Sequence, residues 1–150
     1  MAIKIGTSAR NAACNGTTAL LNTGTVEIRT GVRPADPQTT ATGTVLVTLT
    51  LPAAAFATAA TGVATANAIT GVAAAGSGTA SWFRAYSSTA VAIIDGDVAV
   101  SASDMNIQNV SINAGQTVTI TSWTHTQPQL DRHGYPNKRQ PLHCAFGIAA

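Results

Sequence analysis

Residues 43–51 read GTVLVTLTL, a run in which Val45, Val47, Leu49 and Leu51 alternate with residues that are mostly threonine. Side chains on an extended strand point to opposite faces in turn, so a period of two buries one face and wets the other. No helix can use that pattern. It constrains this chain more than any other feature, because it recurs. In TVEIRT (residues 25–30), Val26 and Ile28 alternate with Glu27 and Arg29. GVATANAIT (62–70) and GTASWFRAYSS (78–88) continue as strands, joined by the small, flexible GVAAAGSG. AVAIIDGDVAV (90–100) is either a hairpin about Asp95-Gly96 or a strand bent at Gly96, since Asp-Gly is a hairpin signal. DMNIQNVSI (104–112) shifts phase between Ile107 and Val110, as a bulge near Gln108-Asn109 would require. TVTITSWTHT (117–126) is the last strand, with Val118 and Ile120 facing one way and Trp123 and His125 the other.

Between these runs lie turn signals. Pro34 and Pro37 make GVRPADPQTT a loop, Pro52 ends the GTVLVTLTL strand, and NAGQ is a turn. About eight short strands with turns every 8–12 residues is the pattern of a β-sandwich or jelly roll. Helices do not alternate with strands, so a parallel α/β sheet is not expected. One helix is predicted at the front, in GTSARNAACNGTTALLNTG (6–24). Thr7 or Ser8 would cap it, Ala9, Ala12, Ala13, Ala19 and Leu20 recur at helical spacing, and Gly24 would be its left-handed terminator. The expected organisation is an all-β domain over residues 1–128, a β-sandwich or jelly-roll-like fold with that short helix, followed by an extended C-terminal arm over 129–150.

Composition separates this chain from ordinary soluble proteins. Charged residues are 9% of it, against about 25% usually. Thr, Ser, Asn and Gln stand in their place, so the chain is polar without being ionic. Residues 1–129 hold five basic and five acidic side chains, which leaves the whole formal +2 in the last stretch. A nucleic-acid surface needs several Lys or Arg against phosphates, and the body cannot supply them. So little net charge disperses a free monomer poorly, and self-association is expected. No signal-peptide core follows MAIKIGTSAR and no apolar run is long enough to span a membrane, so the sequons at Asn15 and Asn109 are read as accidental.

Candidate chemistry is sparse. Asp95 and Asp97 are a close carboxylate pair, but they flank Gly96 and read as solvated turn acids, so no catalytic residue is assigned. His125, His133, His143 and Cys144 are ligand types for zinc, at a spacing that matches no compact zinc motif; no metal or other cofactor is expected. Cys14 and Cys144 read as two reduced thiols, the alternative being one bridge of about 4 kcal/mol in the chain-entropy model. In SWFRAY, Trp82, Arg84 and Tyr86 share one strand face. They form either a subunit interface, where aromatics and Arg are enriched, or a core layer with Arg84 at its edge; a sugar platform is a third option. The final stretch is broken by Pro128, Pro136 and Pro141 but carries Leu130, Tyr135, Leu142, Phe146 and Ile148. Spaced apolar anchors without regular structure suit an arm that lies across another surface, more than a site.

In GTVLVTLTL, GVATANAITG, GTASWFRAYSS and SINAGQTVTITSWT, in that order after an ARNA…ALL segment and VEIRTG, the chain resembles a family of small virion structural proteins of tailed bacteriophages. The likeness covers roughly residues 5–128 and stops before the arm. It implies a head decoration or cement protein on the outer capsid surface. Its partners would be the major capsid protein and its own copies, as a dimer or trimer, with no nucleic acid, membrane or enzymatic activity involved. The alternative is a carbohydrate- or receptor-binding module of a tail or head fibre.

Overall fold

The computed structural model describes residues 4–127. A helix, α1 (Thr7–Ala19), precedes eleven strand segments: β1 (Thr25–Arg29), β2 (Val45–Thr50), β3 (Val63–Thr65), β4 (Val72–Ala73), β5 (Gly78–Thr79), β6 (Trp82–Tyr86), β7 (Ala92–Ala99), β8 (Met105–Ile107), β9 (Ser111–Ile112), β10 (Thr117–Val118) and β11 (Ile120–Thr126). Seven of them form one mixed sheet in the order β2-β1-β6-β7-β8-β11-β3; β4–β10 and β5–β9 form two small ladders. All pairings are antiparallel except β7–β8. The fold is mostly β with one short helix. The core gathers Val26, Ile28, Leu49, Phe83 and Trp123 from the sheet, with Ile112 and Val118 from the ladders.

The period-two runs became strands wherever one face could be buried. Val26 and Ile28 are fully buried while Glu27 and Arg29 are half-buried on the other side. In β2 the alternation is interrupted. Pairing skips from Ile28↔Val47 to Arg29↔Val45, so Leu46 also turns inward and is fully buried. Its carbonyl instead accepts from Ala75 and Gly76 N–H at 2.9 and 3.1 Å, tying the 71–78 linker to this edge. A second bulge corrects the reading of the last strand. Ile120 pairs with Ile107 and Ser122 with Asn106, leaving Thr121 as the extra residue. That brings Trp123 round to the core that Val118 and Ile120 also contact. The DMNIQNVSI run divides into β8 and β9, which pair with different partners, and GVATANAIT contributes only β3.

The Asp95-Gly96 hairpin does not form; β7 runs straight through it. A Cβ on Gly96 would lie 2.5 Å from the Phe83 ring, so glycine is required there for close cross-strand approach, not for a turn.

The helix is where predicted, but it docks by another face. Ala9, Ala12, Ala13, Ala19 and Leu20 are exposed; Cys14, Thr18 and the following Leu21 are buried. Gly6 is the N-cap and no side chain caps it. Thr23 takes the left-handed position (φ 57°) expected of Gly24. Gly24 serves a different need, since a Cβ there would lie 2.0 Å from the Tyr86 carbonyl oxygen. What holds the helix down is largely polar. Asn11, Asn15 and Asn22 accept the backbone N–H of Gly62, Ala59 and Ala55 at 2.7, 2.7 and 2.9 Å. These irregular residues have no sheet partner for their donors, and the asparagine oxygens supply one. Asn15→Ala is therefore expected to lower unfolding free energy by about 1–3 kcal/mol, the cost of a buried donor left unpaired. Chemical denaturation checks it: Asn15→Ala should lower the midpoint, and Ala12→Ser, on the exposed face, should not.

Candidate functional site

Half of the ten charged side chains among residues 4–127 lie on the face of the β1-β6-β7 sheet opposite the main core. Glu27 and Arg29 come from β1, Trp82, Arg84 and Tyr86 from β6, and Asp95 and Asp97 from β7. The alternation that sends Val26, Ile28, Phe83 and Ala85 into the core forces these residues to the other side. The register brings them together, with Arg84 opposite both Glu27 and Asp95, and Trp82 opposite Arg29 and Asp97.

Residues 30–44 close over this face, and the side chains beneath hold them. The Arg84 guanidinium donates from Nε and Nη2 to the two carboxylate oxygens of Asp95, at 2.7 and 2.6 Å. Its Nη1 and Nη2 also donate to the carbonyls of Thr39 and Asp36, at 2.8 and 3.3 Å. Trp82 Nε1 donates to Thr30 O at 3.0 Å, and Ser81 Oγ to Gly31 O at 2.6 Å. Arg29 Nη1 reaches Thr42 O and Gly43 O, both at 3.3 Å, while its Nε and Nη2 donate to Glu27 at 3.0 and 2.8 Å. Tyr86 OH donates to the same Glu27 oxygen at 3.2 Å. The Arg29 and Arg84 guanidinium carbons lie 5.8 and 5.5 Å from the Trp82 ring centroid, within cation–π range. A proline-containing loop with no ladder of its own leaves its carbonyls needing donors. Two arginines, a tryptophan and Ser81 supply them.

This geometry corrects two expectations. Trp82 and Arg84 are 1% and 3% exposed within a single chain, so they do not present a surface stripe; of the three, Tyr86 is half-buried. The loop covers them because their polar atoms satisfy it. Asp95 is not a solvated turn acid either, as its side chain is 4% exposed and paired with Arg84. Asp97 fits the solvated reading better, at 61% side-chain exposure, 3.4 Å from Arg33 Nε. Arg84 is pushed above the usual arginine range, first by its hydrogen bonds to Asp95, against the opposing effect of burial. Burial pushes the Tyr86 phenol up, and the Glu27 charge adds to this.

Four of the hydrogen bonds that the Arg84 guanidinium can make are committed within the chain, which nearly exhausts its five donors. Chemically, the arrangement is a clamp.

Two other groups complete the picture. Cys14 is fully buried and has no disulfide partner among the described residues. It donates to His125 O at 3.6 Å, and burial raises its pKa. His125 is half-buried, with Nε2 enclosed and unpaired among the described residues, and burial pushes its pKa down. The unfolded chain therefore binds this proton more readily than the folded one. Stability is full above the ordinary histidine value of about 6.5 and falls as pH drops below it, until the lowered folded value is passed. Denaturation midpoints between pH 5 and 8 should show that slope, and His125→Gln should flatten it.

No group of three His, Cys, Asp or Glu side chains among the described residues is arranged to hold a metal ion. His133, His143 and Cys144 lie outside the described residues, as do Leu130, Tyr135, Leu142 and Phe146, and with them the arm over 129–150 and any Cys14–Cys144 bridge. No described helix is long and apolar enough to cross a membrane. Comparison with known proteins found no matching family model, curated protein or solved structure.

Sequence reading missed Asn11, Asn15 and Asn22 as anchors and Asp104 as a bridge. Asp104 accepts Asp97 N–H through Oδ2 at 3.0 Å, and its carbonyl accepts Thr124 N–H at 3.3 Å. Two of the asparagines did leave a signal, since Asn11 and Asn15, four positions apart, fall on one helical face.

Proposed function

We propose that this chain is a structural protein of a tailed-bacteriophage virion, a decoration or cement protein that stabilises the outer capsid surface by bridging capsid subunits. In this reading the seven-stranded sheet is one layer of a sandwich and the two small ladders belong to the other. One observation carries the proposal. Four of the ten charged residues of the body, Glu27, Arg29, Arg84 and Asp95, are drawn into the clamp on residues 30–44, with Arg84 and Asp95 each 4% exposed as side chains, and much of the remaining surface consists of small and hydroxylated residues. Such a surface costs less to desolvate against a neighbour than an ionic one. Repetition over a shell then adds weak contacts through avidity. The sequence resemblance supports the same reading. The carbohydrate-binding alternative required an exposed aromatic stripe, and Trp82 at 1% exposure does not offer one.

The test is a map of the intact particle of the phage that encodes the chain, with mass spectrometry of its proteins. Stoichiometric copies on the outer capsid support the proposal. Absence from finished particles, or location only in a fibre, ends it.

A further inference from the structure

β7 and β8 run parallel and overlap by only two residues, 98–99 with 105–106. That short overlap is why residues 100–104 suffice to connect them, when parallel neighbours normally need a crossover of a dozen residues or more. On its other side β8 pairs with β11, Met105 opposite Trp123. β8 therefore fills one strand-wide lane between β7 and β11, but only from Met105 onward. Both flanking strands continue past its start. Residues 94–96 and 124–126 line the two sides of a cleft of about 740 Å³, with Phe83 and Trp123 beneath.

The flanking backbones are partly unpaired on this side. Ala66 N–H donates to Trp123 O and Gln127 N–H to Gly62 O, so the odd residues of β11 face β3. The even ones then face the lane; Thr124 N–H reaches Asp104 O there, and among the described residues Thr126 pairs only toward β3. On the β7 side, Asp104 Oδ2 and Ser103 Oγ bond the Asp97 N–H and carbonyl at 3.0 and 2.8 Å, and Arg33 Nη1 donates to Asp95 O at 3.4 Å. Side chains thus cap one end of an edge that an extended segment would otherwise pair.

We propose that this lane receives residues 142–150 of a second copy of the chain as an added strand. The sequence LHCAFGIAA is proline-free and places Leu142, Cys144, Phe146 and Ile148 at alternate positions, the pattern of a strand with one apolar face. That face would lie over Phe83 and Trp123. A second copy is favoured over the same chain by the connector. Strands that are sheet neighbours need two to five residues between them. Residues 128–141 lie between Gln127 and this run and contain Pro128, Pro136 and Pro141. Extended, they reach about 45 Å, more than the roughly 35 Å width of a domain this size. Charge agrees with the docking. Arg132, Lys138 and Arg139 against Asp131 make the connector net positive, whereas Asp95, Asp97 and Asp104 outnumber Arg33 and Arg84 around the lane. The exchange needs no capsid, so it stands or falls separately from the virion reading.

Sedimentation of the purified full-length chain tests it. The wild type should self-associate, and Phe146→Asp with Ile148→Asp should weaken association about 100-fold or more, as loss of central apolar anchors does. Thr126→Pro, which removes a lane-facing N–H, should do the same. Mixing the tail variant with Thr126→Pro should restore a mixed species, because one intact lane then meets one intact tail. Amide exchange at Thr126 should be slow in the wild type and fast in the tail variant, a readout that holds even if the proline variant misfolds. A monomeric wild type, association that survives the tail substitutions, or exchange unaffected by them would overturn the proposal.

Discussion

Replacing Arg84 with methionine lowers the unfolding free energy by about 3–5 kcal/mol, the expected loss when one partner of a buried ion pair is removed and the other stays behind uncompensated. Methionine keeps much of the side-chain volume, so the effect is electrostatic more than a cavity. The Asp95 carboxylate, with its side chain 4% exposed, would lose both of its bonds to Arg84 at once. Residues 30–44 would also lose the donors on Thr39 O and Asp36 O. The double variant Arg84→Met with Asp95→Leu separates these effects. Removing both charges should recover much of the loss, because an apolar pair can replace a buried ion pair at little cost. What stays lost reports the anchoring of the loop. Urea denaturation of the two single variants and the double variant closes the cycle. A near-additive result would mean that the pair is screened by water and that the clamp is weaker than its geometry indicates.

Trp123→Ala is expected to cost a similar 3–5 kcal/mol, for a different reason. Trp123 is 2% exposed and meets Phe56 and Phe83 edge-on, at centroid distances of 4.8 and 5.1 Å. Its removal leaves a cavity between two aromatic rings drawn from distant parts of the chain and takes both edge-to-face contacts with it. Trp123→Phe should lose less, since a ring remains to meet its neighbours. Thermal unfolding followed by near-ultraviolet circular dichroism gives both the stability and the packing of the rings. An alanine variant within about 1 kcal/mol of wild type, far below the usual range for such a truncation, would mean that the site collapses around the gap.

These two residues also mark what could be read in advance. Trp123 is legible as a strand residue, but a period of two carried through Thr121 puts it on the wrong face. A bulge inverts every side chain after it, and nothing in ITSWTHT announces one. The sequence suggests a surface or edge position for Arg84, where arginine usually lies. Its partner lies eleven positions away, and the pairing exists because Phe83 fits against Gly96 in the same register. The Asp-Gly pair that suggested a turn was in fact the small residue that this contact needed. The helix shows the same limit. Its position followed from local propensity, but alanine spacing pointed to the wrong face, since the surface it meets offers unpaired amides at Ala55, Ala59 and Gly62 that asparagine satisfies better.

The amino-acid order alone determined that this chain is mostly extended, where most of its turns fall, that one helix leads it, and that its ions are few and balanced over the body. These are local or additive properties, written into a residue and its near neighbours. The tertiary structure decided strand order, the bulges in β2 and β11, the burial of Arg84 with Asp95 under residues 30–44, and the open lane beside β8. Each depends on contacts between residues far apart in the chain, where steric fit and hydrogen-bond satisfaction choose among arrangements that local pattern leaves equally good.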